Sequence, residues 1–243
     1  VNPTNVPPIV ALVPMKAHSD RVPKKNIRPF CGKPLFHWIL TALSRSKYIK
    51  RIAINTDSLE IAEDAMKHFE VSIIERPERL LGDMFVANDL IAYDLSQLPR
   101  EDYFIQTHST NPLLRTETID RAIEAFFNQT THDSLFSVTP LYTRLYWPDG
   151  TPANHDPNDL IRTQDLEPIY EENSCLYIFS RQAFQKRENR LGESPMMFSI
   201  DRLEAVDIDD QSGFLLAEAL MRVRKSSCKC RLGVGCLTML YPD

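Results

Sequence analysis

Two groups of residues in this chain could act together on a polyphosphate. The first follows the apolar run Ile9-Val10-Ala11-Leu12-Val13. It is a basic loop holding Lys16, Arg21, Lys24, Lys25, Arg28 and Lys33, opposed only by Asp20. A strand that ends in a cationic loop and then enters a helix is a natural place to neutralise phosphate charge. The second group is Asp207 and Asp209. In an extended chain, residues i and i+2 point to the same side. A pair of carboxylates placed that way makes a seat for Mg²⁺. Such an ion bridges phosphate oxygens and stabilises charge on a leaving pyrophosphate.

Each group has a plainer reading. No glycine lies between Met15 and Cys31, so the loop is neither a P-loop nor a dinucleotide fingerprint. Its hold on phosphate would rest on side-chain charge rather than on a backbone cradle, and charge alone also fits a solvated basic turn. Asp209 and Asp210 could instead cap the helix that follows them. His108, in the segment His108-Ser109-Thr110-Asn111-Pro112, could orient a ligand or could be a hydrogen-bonded structural residue.

Composition narrows the ligand. The chain has 243 residues and is 43% hydrophobic, which suits one α/β domain with a real core. The net charge of −5 argues against a general nucleic-acid binder. Anion affinity is therefore local, as for a small phosphorylated ligand. No apolar run approaches the ~20 residues of a membrane span, and no charged-then-apolar leader is seen. A cytoplasmic enzyme is expected. The five cysteines include a tail trio, Cys228, Cys230 and Cys236, with no fourth ligand nearby; reduced thiols are the expectation.

The elements that must position these groups alternate. Ile9–Val13, Arg51–Asn55, Val71–Ile74, Tyr103–Gln106 and Leu135–Thr139 read as strands. Between them lie helical patterns: one opened by Pro34, one with a capping box at Asp57 and Glu60, one over Phe85–Leu95, and one marked by Ile119, Ala122, Ile123 and Phe126. This rhythm predicts an α/β fold with a doubly wound, mostly parallel, Rossmann-like sheet. Ligands in such folds sit beyond the carboxyl ends of the strands. The basic loop, Asn55-Thr56-Asp57 and His108–Asn111 all reach that edge. Residues 142–168 lose period and read as an excursion, a lid or a dimer arm, inside a domain spanning 9–225, with 226–243 as a tail. Cys175–Phe179 resumes regular structure, Arg181–Glu188 reads as a short helix, Ala205–Asp209 as a strand end, and Phe214–Met221 as a closing helix.

With these blocks in order, the chain resembles the acylneuraminate cytidylyltransferases, the CMP-sialic acid synthetase group that includes enzymes for Kdo, legionaminic and pseudaminic acids. The resemblance runs from about Ile9 to Leu220. It rests on Pro23-x-Lys25-Asn26, Gly32-Lys33-Pro34-Leu35, Asn55-Thr56-Asp57, Arg76-Pro77-Glu78 with Asp83, Ser109–Leu113, Ser137–Pro140, Gln164–Leu166, Asn173 and Val206–Asp209. It implies transfer of a cytidylyl group from CTP to a 2-keto sugar acid. It also implies that Lys16 and Lys25 meet the triphosphate, and that Asn26, Arg76 and Asp83 frame the nucleotide. Asp207 and Asp209 hold Mg²⁺ in this correspondence. His108, Arg115, Arg162, Gln164 and Asn173 serve the sugar, with Arg162 and Gln164 in a segment that reaches a partner subunit's site in a homodimer.

Departures from the family pattern are local. The usual loop lysine is replaced by Asp20, with Arg21 one residue later, and an arginine fork is not a lysine point charge. The usual Asn-Gly is Asn173-Ser174, preceded by Glu171 and Glu172. A nonulosonic acid acceptor, a Kdo-like acceptor, and a nucleotide-binding protein without catalysis all stay open on the sequence.

Overall fold

The computed structural model describes residues 6–19, 21–81, 86–159 and 161–231. Asp20 and Asp83 lie outside the described residues, as do Cys236 and the side chains of Cys228 and Cys230.

The first apolar run forms β1 (Ile9–Met15), an interior strand, third in a seven-stranded sheet. Both faces of β1 are apolar because both are covered. Ile9, Ala11 and Val13 pack with one cluster, and Val10 and Leu12 with another. Leu12 and Val13 are fully buried, and burial of such a side chain stabilises by about 1.5–3 kcal/mol.

A two-residue hairpin of β2 (Pro29–Phe30) and β3 (Lys33–Pro34) follows the basic loop. Its turn needs positive φ at both centres, 48° at Cys31 and 95° at Gly32, which is where glycine serves. Pro34 therefore closes this hairpin rather than opening α1 (Phe36–Ser44), because its ring sits opposite Pro29.

The chain then steps outward through β4 (Ile49–Thr56), α2 (Leu59–His68) and β5 (Ser72–Glu75). It returns through α3 (Ala87–Gln97) to β6 (Tyr103–Thr107) on the other side of β1. Next come α4 (Thr116–Phe127), β7 (Ser134–Leu141), β8 (Ile169–Ser180), α5 (Arg181–Arg187), β9 (Pro195–Ser199) and α6 (Gln211–Arg231). The strand order is β5-β4-β1-β6-β8-β7-β9, and β8 alone runs antiparallel to its neighbours. Helices α1, α2 and α4 cover one face, and α3 and α5 the other. The doubly wound, mostly parallel sheet expected from the sequence is present.

The strand order reverses between β1 and β6. That is the switch point where an open α/β sheet leaves a crevice at its carboxyl edge. The basic loop leaves β1 there, and His108 leaves β6.

Three local expectations are corrected. Residues 205–209 form no strand; this segment has no regular structure and is held instead by the Ile208 N–H donating to the Thr110 carbonyl at 3.0 Å. Asp57 does not cap α2. Ser58 does, its Oγ accepting from Ile61 N–H at 3.2 Å, while an Asp57 carboxylate oxygen accepts from Ala17 N–H at 2.7 Å. Edge strand β9 was not expected, because its proline start and Met-Met-Phe run carry no alternation. Among the described residues, 142–168 contain a single isolated bridge, Tyr146 with Pro152, and a short 3₁₀ turn over Thr163–Asp165. No helix among the described residues is long and apolar enough to cross a membrane.

Candidate active site

A cleft of about 510 Å³ lies at the switch point. Lys16, Arg21, Lys25, Asn26, Arg76 and His108 line it, together with Asp57, Ser109 and Thr110. A more apolar lobe of about 270 Å³ adjoins it, sharing Pro14, Lys16, Arg76 and His108 and adding Ala87, Leu90 and Ile91.

The basic loop is folded inward by a left-handed residue, Lys24, at φ 52°. This turn leaves Lys24 exposed and half-buries Lys25, whose Nζ donates to the Ile208 carbonyl at 2.7 Å. Burial pulls the Lys25 ammonium below its ordinary range, and the charges of Asp207 and Asp209 act against that. Arg21 lies 3.5 Å from Asp209. The loop and the Asp207–Asp209 segment therefore meet along one rim, although 183 residues separate Lys25 from Ile208.

Asp207 receives the Asn111 amide at 3.4 Å and the Thr110 hydroxyl. Surrounding protein raises its carboxyl above the usual range, and the nearby Asp209 charge adds to this. The pair's oxygen donors suit Mg²⁺, and so the residues fit that ion. Asp210 rather than Asp209 caps α6, its Oδ1 accepting from Gly213 N–H at 2.7 Å, which leaves Asp209 for the rim.

Asn26 is buried and ties two loops together. Its amide donates to the Lys16 carbonyl at 2.9 Å and its oxygen accepts from the Ser109 hydroxyl at 2.6 Å. Arg76 is held by Asn55: its Nε donates to Oδ1 at 2.8 Å, and a terminal nitrogen reaches the Asn55 and Met15 carbonyls at 3.2 and 3.4 Å. Asn55 in turn donates to Asp94 at 2.5 Å. Burial pushes the Asp94 carboxyl up to about 7, against the pull of the Asn55 amide and the Arg76 charge. Burial, with Arg190 and Lys25 nearby, pulls His108 down to about 4, so its imidazole is neutral at pH 7. Arg190 lies 3.6 Å over the Tyr177 ring and donates to Gln106 at 2.7 Å.

The expected sugar residues divide. His108 is in the cleft. Asn173 is not among the cleft's lining residues; it accepts from the Ser137 hydroxyl at 2.5 Å and donates to Thr139 at 2.9 Å, across an irregular register between β7 and β8. Ser174 keeps a glycine-like φ of 56° after it. Arg115 is drawn away from the cleft by Glu204, which accepts from its guanidinium and from its backbone N–H. Arg162 and Gln164 are exposed in the excursion, where Arg162 Nε donates to Asp165 at 2.7 Å.

Sequence reasoning did not single out Asp94 or Arg190. Asp94 carried a usable signal, since it falls on the same helical face as the buried Leu90, Ile91 and Leu95. Arg190 carried none.

Comparison with known proteins covers nearly the whole chain. A family described as Cytidylyltransferase matches residues 10–228. The chain belongs to the cytidylyltransferase family. This family member is 27% identical to the CMP-N,N'-diacetyllegionaminic acid synthase of Legionella pneumophila over 233 residues, covering 90% of this chain and 98% of the relative. It is 25% identical to the pseudaminic acid cytidylyltransferase of Campylobacter jejuni over 228 residues, covering 90% and 98%. Its fold is similar to a solved CMP:2-keto-3-deoxy-manno-octonic acid synthetase complexed with CTP, at TM-score 0.66 and 13% identity, covering 90% of this chain and 100% of that one. Family membership carries cytidylyl-transfer chemistry in general, and the matched span takes in every described element except the first residue of β1 and the last three residues of α6.

Proposed function

We propose that this family member transfers CMP from CTP to a 2-keto-3-deoxy sugar acid of the nonulosonate class, releasing pyrophosphate. The observation that carries this reading is the bond from Lys25 to the Ile208 carbonyl, which joins the cationic loop to the Asp207–Asp209 rim. Relatives named for legionaminic and pseudaminic acids support the acceptor class.

In this reading CTP lies across the carboxyl edge of β1 and β6. Lys16, Arg21 and Lys25 neutralise its phosphates, and Arg76 and Asn26 hold the nucleoside end of the cleft. Asp207 and Asp209 would hold Mg²⁺, which when bound supplies charge neutralisation at the departing pyrophosphate. The sugar's anomeric hydroxyl, oriented by the neutral His108, attacks the α-phosphorus in line. Positioning and electrostatics in a pre-formed cleft supply most of the acceleration.

Arg115, Arg162, Gln164 and Asn173 do not line the chain's own cleft. The proposed homodimer brings Arg162 and Gln164 to a partner's site through the excursion, whose Tyr146 and Trp147 are 56% and 62% exposed. Sedimentation showing only monomer at working concentrations contradicts the dimer.

The activity is tested by incubating the protein with CTP, Mg²⁺ and a panel of sugar acids while following pyrophosphate. Release with legionaminic- or pseudaminic-type acids supports the reading. Release with Kdo alone moves the acceptor to an octulosonate, and CTP binding without release from any acceptor leaves a nucleotide-binding protein.

A further inference from the structure

Away from the cleft, α1 and α2 bring together His37, Asp64 and His68. One ligand atom from each lies within 4.8 Å of the others. None of the three lines the nucleotide cleft. Asp64 and His68 are four residues apart and so share one face of α2. His37 comes from the first turn of α1, and its Nε2 is in direct contact with Asp64 Oδ1.

The surroundings hold this geometry. The His37 ring packs edge-on between Phe36 and Phe69, at 4.6 and 5.0 Å, and its centroid is 5.1 Å from that of His68. His68 Nδ1 is 2.8 Å from the Asp64 carbonyl oxygen. The same nitrogen is 3.5 Å from Asp64 Oδ2, and His37 Nε2 meets Asp64 Oδ1, so both rings turn a nitrogen to the one carboxylate that an ion would share. Exposure grades across the trio, from 10% for the His37 side chain through 32% for Asp64 to 43% for His68, which gives an ion a path from solvent.

We propose that His37, Asp64 and His68 form a zinc site that staples α1 to α2. Two imidazole nitrogens and a carboxylate oxygen make a donor set for Zn²⁺, with water as the fourth ligand. They do not suit Mg²⁺, which takes oxygen ligands in near-octahedral geometry. The site is therefore chemically distinct from the Asp207–Asp209 rim. The staple joins the helix that follows the β2–β3 hairpin to the helix that follows Asp57, so it stiffens the frame without entering the reaction.

The test is zinc titration of the whole chain in saturating Mg²⁺, read by metal content after dialysis, by thermal midpoint, and by the visible bands of the Co²⁺-substituted protein. His68→Gln and Asp64→Asn are the variants, chosen because both positions reach solvent and tolerate polar replacement. The staple predicts retained zinc, a raised thermal midpoint, and four-coordinate cobalt bands, with affinity falling more than about tenfold in either variant. No retained zinc, or zinc held equally well in both variants, overturns it.

Discussion

Lys25 Nζ donates to the backbone carbonyl of Ile208 at 2.7 Å, joining the loop after the first strand to a segment near the last helix. Asp207 and Asp209 flank that carbonyl, and their charges oppose the loss of a proton from Lys25. Lys25 lines the cleft, and the two carboxylates stand beside it outside the cleft's lining residues, so each group limits what the others can do.

Removing the Lys25 cation takes away charge needed where the pyrophosphate departs. Lys25→Ala is expected to lower kcat/KM for CTP by roughly 100- to 1,000-fold, the scale of losing one pre-organised group at a developing charge. Lys25→Arg is expected to rescue little, because a planar fork cannot replace a point charge bonded to a carbonyl. Steady-state pyrophosphate release on folded variants measures both.

Asp207→Asn removes one of the proposed Mg²⁺ oxygens and leaves an amide that can still meet Asn111. The Mg²⁺ concentration for half-maximal activity is expected to rise by more than about tenfold, with an unchanged circular dichroism spectrum. An unchanged Mg²⁺ titration removes Asp207 from the metal site.

Much of this site was legible in the sequence. The strand-to-loop pattern at Ile9–Lys25 located the edge of the sheet because a buried parallel strand must be apolar on both faces. Asp207 and Asp209 were singled out for a shared strand face, a reason that fails because the segment is not a strand; bonds from Ile208 to Thr110 and from Lys25 to Ile208 are among those that hold it in place. Arg115 was misleading because Glu204, buried and 89 residues away, captures it. Such long-range pairing leaves no periodic mark. Asp94 was marked by its place on an otherwise apolar helical face, whereas its pairing with Asn55, 39 residues away, was not.

Asp94 gives a stability signature. Its carboxyl sits near 7 in the folded state and near the ordinary carboxylate value when unfolded. Between those values the folded chain holds a proton that the unfolded chain has lost, so this group makes stability fall as pH rises from about 4 to about 7. Asp94→Asn can still accept from Asn55 and is expected to flatten that part of the profile. Urea unfolding at a series of pH values checks it, and parallel profiles for the two proteins contradict it.

His108 is neutral throughout the working range because burial and two neighbouring cations pull it to about 4. The rate profile is therefore expected to show no step from this residue between pH 6 and 8. His108→Gln keeps a neutral hydrogen-bonding group, so above about pH 5 its kcat profile should parallel that of the unsubstituted chain. An acidic limb near pH 6.5 that disappears in His108→Gln contradicts a neutral His108.

The most direct test of a joined phosphate and metal rim follows the α-phosphorus itself. CTP labelled at that atom is incubated with Mg²⁺ and a legionaminic- or pseudaminic-type acid, and the products are separated. The account predicts label in a CMP-sugar, matched by pyrophosphate, and transferred far more slowly by Lys25→Ala and, at the Mg²⁺ concentration that half-activates the unsubstituted chain, by Asp207→Asn. Label that stays in CTP with every sugar acid, or that transfers undiminished in both variants, contradicts it.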